Sequence, residues 1–256
     1  MKITALNDDL HGKFLDVIND SINELYNNPK RKASQSNFHL LSEKDKYSSK
    51  IFEYYSKMNQ TKEDLKKIEI FLRRFPLKKF YEDNNISHLD YIKYHTEVFY
   101  HKINTLLDLF KIIINRIYEL GLSEKKCTWK NLTKSEKIKQ SILIKVVEFY
   151  YKSFENIINA RNLNTHRGYF YDSEKDYIED YMFIYKNSEK FNMEIGDDFK
   201  KMMPKFYLEY KIKIYKKDKL KFIQNGNKIA EEYVNIFSNF MFIEFLKISK
   251  TKNSCS

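Results

Sequence analysis

The chain is poor in the residues that punctuate irregular folds. Its 256 residues include 5 Gly, 3 Pro, 2 Cys and one Trp. So few Gly and Pro exclude a turn-rich β-sandwich or barrel, where turn residues return every 8–12 positions or so. Cys127 and Cys255 cannot build a disulfide framework, and their use fits a reducing cytoplasm. No apolar run approaches the ~18 residues of a membrane span. The first nine residues hold no apolar stretch of the secretory kind, so neither a leader nor a membrane location is expected. There is no glycine-rich phosphate loop, no strand-like alternation, no internal repeat and no Pro/Gly/Ser-rich linker. Arginine is scarce too, supplying six of the 46 basic residues.

What is present is apolar, aromatic and basic. Twenty Tyr and twenty Phe, within a 42% hydrophobic composition, can fill a sizeable core. The formal charge of +11 favours an anionic partner, nucleic acid first. AT-rich coding also raises Lys, Asn, Ile and Tyr together, so the charge reads equally as composition.

Apolar residues recur at the 3.6-residue helical period almost throughout. Leu10, Phe14, Val17, Ile18, Ile22 and Leu25 form a first stripe, stopped at Pro29. Ile51, Tyr54, Tyr55 and Met58 mark a second helix. Thr61 and Asp64 have capping-box spacing and predict a third, ending near Pro76. Ser87 with Asp90 predicts the start of a long helix over about 87–120, closed by Gly121. Thr133-Lys134-Ser135-Glu136 has capping-box form and opens another over about 134–162. Ser173 and Asp176 begin a further one. Asp197 or Asp198 starts the next, Gly226 is expected to break it, and Ser249–Ser256 reads as a tail. The expected fold is all-α, a bundle with two long antiparallel helices, within one domain spanning 1–256.

The most informative residues are Arg161-Asn162-Leu163-Asn164-Thr165-His166. Arg161 closes a strongly apolar helix, and His166 follows five residues later. In an unbroken helix these positions lie about 140° apart. Convergence requires the helix to end or bend between them, and Asn164, Thr165 and Gly168 are poor helix formers.

This pattern resembles the HEPN superfamily (higher eukaryotes and prokaryotes nucleotide-binding), whose hallmark is Arg, a polar residue, a few variable positions and His. Arg161, Asn162 and His166 fit it as Arg-Asn-x3-His. The helical context is similar, and the segment Tyr94–Asn104 resembles the long first helix of a bacterial HEPN group. The resemblance implies a HEPN-like core over about 87–248, with 1–86 as an N-terminal helical extension. It also implies a metal-independent endoribonuclease without cofactor or metal. Arg161 and His166 would be catalytic and Asn162 supporting, at a composite site in a homodimer. The family's settings imply a toxin or phage-defence effector acting on RNA, with an antitoxin or defence-system protein as partner. Two other readings stay open. One is a non-catalytic HEPN-like module that binds RNA, a nucleotide or a protein. The other is an arginine and a histidine that merely settle a helix C-terminus.

The remaining candidates carry weaker signals. Glu97 and His101 stand at i,i+4 and either pair in solvent or face the cleft from the neighbouring long helix. Arg167 adjoins the motif. Lys211, Lys213, Lys216, Lys217, Lys219 and Lys221 form a basic run that suits phosphates or a solvated helix face, with Lys66, Lys67, Arg73, Arg74, Lys78 and Lys79 as a second. Tyr169-Phe170-Tyr171 reads as core before it reads as a base-stacking platform. Cys127 has lysine neighbours but no nearby histidine, so a thiol nucleophile is not expected. His11, His39 and His88 are expected at the surface.

Overall fold

The computed structural model describes residues 5–33, 35–76, 78–167 and 172–253, with side chains left aside at 164–167 and 252–253. Among the described residues there is no strand. The helices are α1 (Asp8–Asn27), α2 (Glu43–Arg73), α3 (Lys78–Asp83), α4 (His88–Ile117), α5 (Trp129–Leu132), α6 (Glu136–Lys139), α7 (Ile142–Arg167), α8 (Ser173–Phe191), α9 (Asp197–Met202) and α10 (Lys205–Asn253). The fold is all-α, as the apolar periodicity predicts. Among the described residues no helix is long and apolar enough to cross a membrane.

Several boundaries differ from expectation, each for a local reason. Thr61 starts no helix, because α2 runs straight through it. Its buried hydroxyl donates to the Lys57 carbonyl one turn back, at 2.8 Å, and is satisfied there. Thr133 likewise donates to the Trp129 carbonyl at 3.0 Å, and the long helix begins instead at Ile142, with Ser141 Oγ accepting the Leu143 N–H. The Ser87–Asp90 box forms in full. Ser87 Oγ accepts from the Asp90 N–H at 3.0 Å, and the Asp90 carboxylate accepts from the Ser87 N–H at 2.9 Å. α4 stops at Ile117, and Glu119 already has a positive φ of 49°, two residues before Gly121. The expected tail is helical to Asn253.

Gly226 breaks nothing, since α10 passes through it. A Cβ at this position would stand 2.5 Å from Cζ of Phe99, a fully buried ring on α4. The glycine is there for close approach of helix to ring, and the helix accepts its entropic cost of about 1 kcal/mol.

The chain divides into two compact units, each made of discontinuous segments. The first comprises residues 1–64, 103–155 and 228–256. Its core is aromatic: Phe14 packs on Phe242 and Phe245, with ring centroids 4.9 and 5.0 Å away, and Phe110 on Phe237 at 4.4 Å. Tyr150 is fully buried, and its hydroxyl donates to the Ile103 carbonyl at 2.8 Å. Burial pushes the Cys127 thiol up to about 11, and its Sγ donates to the Lys111 carbonyl. A protonated, buried thiol is no nucleophile.

The second unit comprises residues 65–102 and 156–227. Here Asn227 Nδ2 donates to the Leu65 carbonyl at 3.1 Å, and Phe222 packs edge-on against Phe99. Asp172 caps α8, its carboxylate accepting the Lys175 N–H. The cap is therefore one residue before the expected Ser173. This unit holds the candidate site.

Candidate functional site

α7 delivers Arg161 by simple register. Ile157 and Ile158 are buried, and Arg161 follows them by four and three residues, on the next turn of the same face. That face meets α4. Arg161 Nε donates to His101 Nδ1 at 3.4 Å, and Arg161 Nη1 donates to Asn162 Oδ1 at 3.2 Å. The structure thus brings together three of the sequence candidates: Arg161, Asn162 and His101. Arg161 is half-buried, while His101 and Asn162 are exposed. In this geometry His101 Nδ1 accepts, so the neutral ring carries its proton on Nε2. Glu97, one turn before His101 on α4, stands 3.8 Å from Lys93.

His166 and Arg167 belong to α7 by backbone, and their side chains lie outside the described residues. Tyr169, Phe170 and Tyr171 lie outside them altogether. The expected end of the helix between Arg161 and His166 is corrected, since α7 remains helical through Arg167. Asn164 and Thr165 are tolerated inside it because their propensity deficits are only tenths of a kcal/mol, about 0.7 at most. Position 166 therefore lies about 140° around the axis from 161. Asn162 and position 166 keep the i,i+4 register of one helix face.

The basic run is distributed around the start of α10. Lys216 Nζ donates to the Arg73 carbonyl at 3.2 Å, which ties this run to the one ending α2. Burial lowers the Lys216 pKa. Lys211 stands over the Tyr207 ring at 5.4 Å. Lys217 is exposed. Lys213 lines a cleft of about 790 Å³ together with Lys78, Lys186, Glu82 and Glu209.

Two histidines expected at the surface are only partly exposed. His11 accepts or donates at Tyr55 Oη, 3.1 Å away, and stacks on Phe242. His88 stacks on Phe75 with centroids 4.7 Å apart. Burial first, then Lys216 and Lys78, lowers the His88 pKa, and burial lowers that of His95, which packs edge-on against Tyr91. Both rings therefore take up a proton less readily in the fold than in the unfolded chain, where histidine titrates near 6.5. The unfolded state takes up protons first, so their stabilisation is complete above about pH 6.5 and is lost as pH falls towards the folded values. The melting temperature should fall on acidification below pH 6.5. Replacing both His88 and His95 with Phe should flatten that slope in a pH series of thermal melts, and an unchanged slope would refute the assignment.

Asp172 was invisible as a site residue in the sequence. Its carboxylate accepts from Tyr215 Oη at 2.9 Å and pairs with Lys219 at 2.5 Å. Burial alone would raise its pKa, but the Lys219 ammonium, the Lys175 N–H and the Tyr215 hydroxyl together bring it below the usual carboxylate range. Tyr100, the neighbour of His101 on α4, is pushed up to about 12 by burial and by the Asp172 charge. Among the described residues no group of three or more His, Cys, Asp or Glu is arranged to hold a metal ion.

Among the described residues the fold is an assembly of long helices without strands, and Arg161 near the end of α7 meets His101 of α4. Residues 68–241, most of the sequence, match the family described as HEPN_Cthe2314-like HEPN, and the chain belongs to it. It matches no curated protein and no solved structure.

Proposed function

We propose that this protein is a metal-independent endoribonuclease that cleaves RNA by attack of a 2′-hydroxyl on the adjacent phosphate. The observation that carries this reading is the Arg161 guanidinium resting on His101 and Asn162, with His166 on the same helix. The 2′ oxygen bonds to phosphorus as a base removes its proton. The bond from phosphorus to the 5′ oxygen breaks as an acid protonates the leaving oxygen. The products are a 2′,3′-cyclic phosphate and a 5′-hydroxyl. Histidine suits both proton transfers because its pKa lies near neutrality, and a guanidinium fork suits the charge that develops on the phosphorane oxygens.

One chain supplies one His166. A homodimer supplies the second, one acting as base and the other as acid across a two-fold axis. His101 and Asn162 position the guanidinium. The family setting supports a role as a toxin or phage-defence effector, held in check by a partner protein.

One observation favours a second reading, a non-catalytic module that binds RNA, a nucleotide or a protein. Unbroken helix through Arg167 keeps positions 161 and 166 on different sides of α7. The test is incubation of labelled RNA with wild type and His166→Ala, both in chelator. Cleavage by wild type alone, yielding cyclic phosphate ends, is expected. Binding without product by wild type, weakening steeply with salt, would establish the second reading instead.

A further inference from the structure

The cleft of about 790 Å³ that Lys213 lines lies wholly within the second unit. Helix register builds two of its walls. Met182 and Lys186 stand one turn apart on α8, and Glu209, Ile212 and Lys213 share one face of α10. Tyr185 Oη on the Met203 carbonyl and the Lys205–Glu189 pair at 2.6 Å fasten α8 to the start of α10. Phe75, Ile86 and His88 complete the lining. His88 and His101 are both on α4, about 20 Å apart along the helix and about 140° apart around it. The cleft is therefore a different place from the Arg161 cluster.

Its lining joins an apolar wall to unpaired positive charge. The Phe75 ring stacks on Tyr81 and on His88, with centroids 5.0 and 4.7 Å away. His88 Nε2 is shut off from solvent and has no hydrogen-bond partner, so the imidazole gives the cleft ring surface and no hydrogen bond from this atom. Ile86, Met182 and Ile212 extend the wall. Of the three lysines, Lys78 pairs with Glu82 at 3.6 Å. Lys186 and Lys213 enter no ion pair among the described residues, although Glu209 precedes Lys213 by one turn, the spacing at which such pairs close.

Two unpaired ammonium groups beside an apolar wall suit a ligand with a doubly charged head and a ring body. A phosphate monoester carries about 1.5 to 2 negative charges at pH 7. A carboxylate or an RNA phosphodiester carries only one. Glu209 repels a bare anion, but it can accept hydrogen bonds from a ligand that brings N–H or O–H donors with its phosphate. The volume falls within the range of about 300–1,000 Å³ that holds one small molecule.

We propose that this cleft binds a small organic phosphate monoester of the nucleoside monophosphate class, with Lys186 and Lys213 on the phosphate and the wall of Phe75 and Ile86 beside the ring. The site is independent of whether Arg161 serves cleavage or only binding.

The test is calorimetric titration of the full chain, without RNA, with adenosine 5′-monophosphate, adenosine and inorganic phosphate in turn. The monophosphate should bind at submillimolar concentration. Adenosine and phosphate should each bind at least about tenfold more weakly, because each engages only part of the lining. Lys186→Ala and Lys213→Ala should each weaken the monophosphate about tenfold, the loss of one charge-assisted contact. Both side chains are exposed, so the melting temperatures of the variants should match wild type. Lys217→Ala, at an exposed lysine of α10 outside the lining, should leave binding unchanged, and so should Arg161→Ala. The proposal is overturned by no saturable binding at millimolar monophosphate, by phosphate or adenosine alone binding as tightly, by binding that survives both cleft substitutions, or by binding lost in Arg161→Ala.

Discussion

Arg161→Lys should lower RNA cleavage about 100- to 1,000-fold, the usual loss when one preorganised charge-stabilising group is removed from a transition state. The substitution keeps the charge and most of the length, so the loss isolates the fork. A guanidinium holds two phosphorane oxygens with parallel N–H bonds, whereas an ammonium is a point charge that water also competes for. Arg161 spends Nε on His101 and one terminal nitrogen on Asn162. Those contacts orient the plane, and no lysine rotamer reproduces both. Because Arg161 is half-buried and at the end of the apolar face of α7, the melting temperature should move by only a degree or two. His101→Ala should cost less, about tenfold, because it removes one support of the fork and leaves the fork itself. Single-turnover cleavage of labelled RNA in chelator measures both. Wild-type rates in Arg161→Lys would mean that bidentate phosphate contact plays no part.

Asp172→Ala should destabilise the protein by about 3 kcal/mol, because it strands a buried phenol and a partly buried ammonium that share one carboxylate. Tyr215 is fully buried and Lys219 partly so, and α8 would lose its cap as well. At this size the loss corresponds to roughly 6–12 °C in melting temperature. The pH dependence gives a second readout. The carboxyl is held below its ordinary pKa, so its contribution is present in full above about pH 4 and disappears as pH falls through the folded value. Asp172→Asn should therefore flatten the acid limb of the stability profile. A variant that melts like wild type at pH 7 would show that the cluster contributes nothing.

The elements that were legible are those fixed by local chemistry. Ser87 and Asp90 cap α4 because both partners lie within one turn. The stripe Ile103, Leu106, Phe110, Ile113 and Ile114 is buried because nothing interrupts its period. Capping signals failed where tertiary packing kept the preceding turn helical. Thr61 and Thr133 each found a carbonyl one turn back, which a sequence does not distinguish from a cap. Gly226 failed for a similar reason, since its cause is a ring on another helix. At the site, Arg161 was legible from its place after an apolar helix. That it meets His101, sixty residues earlier, was not, and neither was the pairing of Asp172 with Tyr215, 43 residues on. Such partners are chosen by the packing of helices, and a periodic pattern specifies a face without naming its neighbour.

Contacts between segments far apart in sequence constrain how the protein folds. Phe14 sits on Phe242 and Phe245, and the Asn7 N–H donates to Asn239 Oδ1 at 2.8 Å. Leu65 is likewise held by Asn227 in the second unit. The aromatic core of the first unit and the α2 contact of the second both wait for α10. Contacts this distant in sequence fold late and slowly. Both units therefore stay incomplete until residues 205–253 have been made.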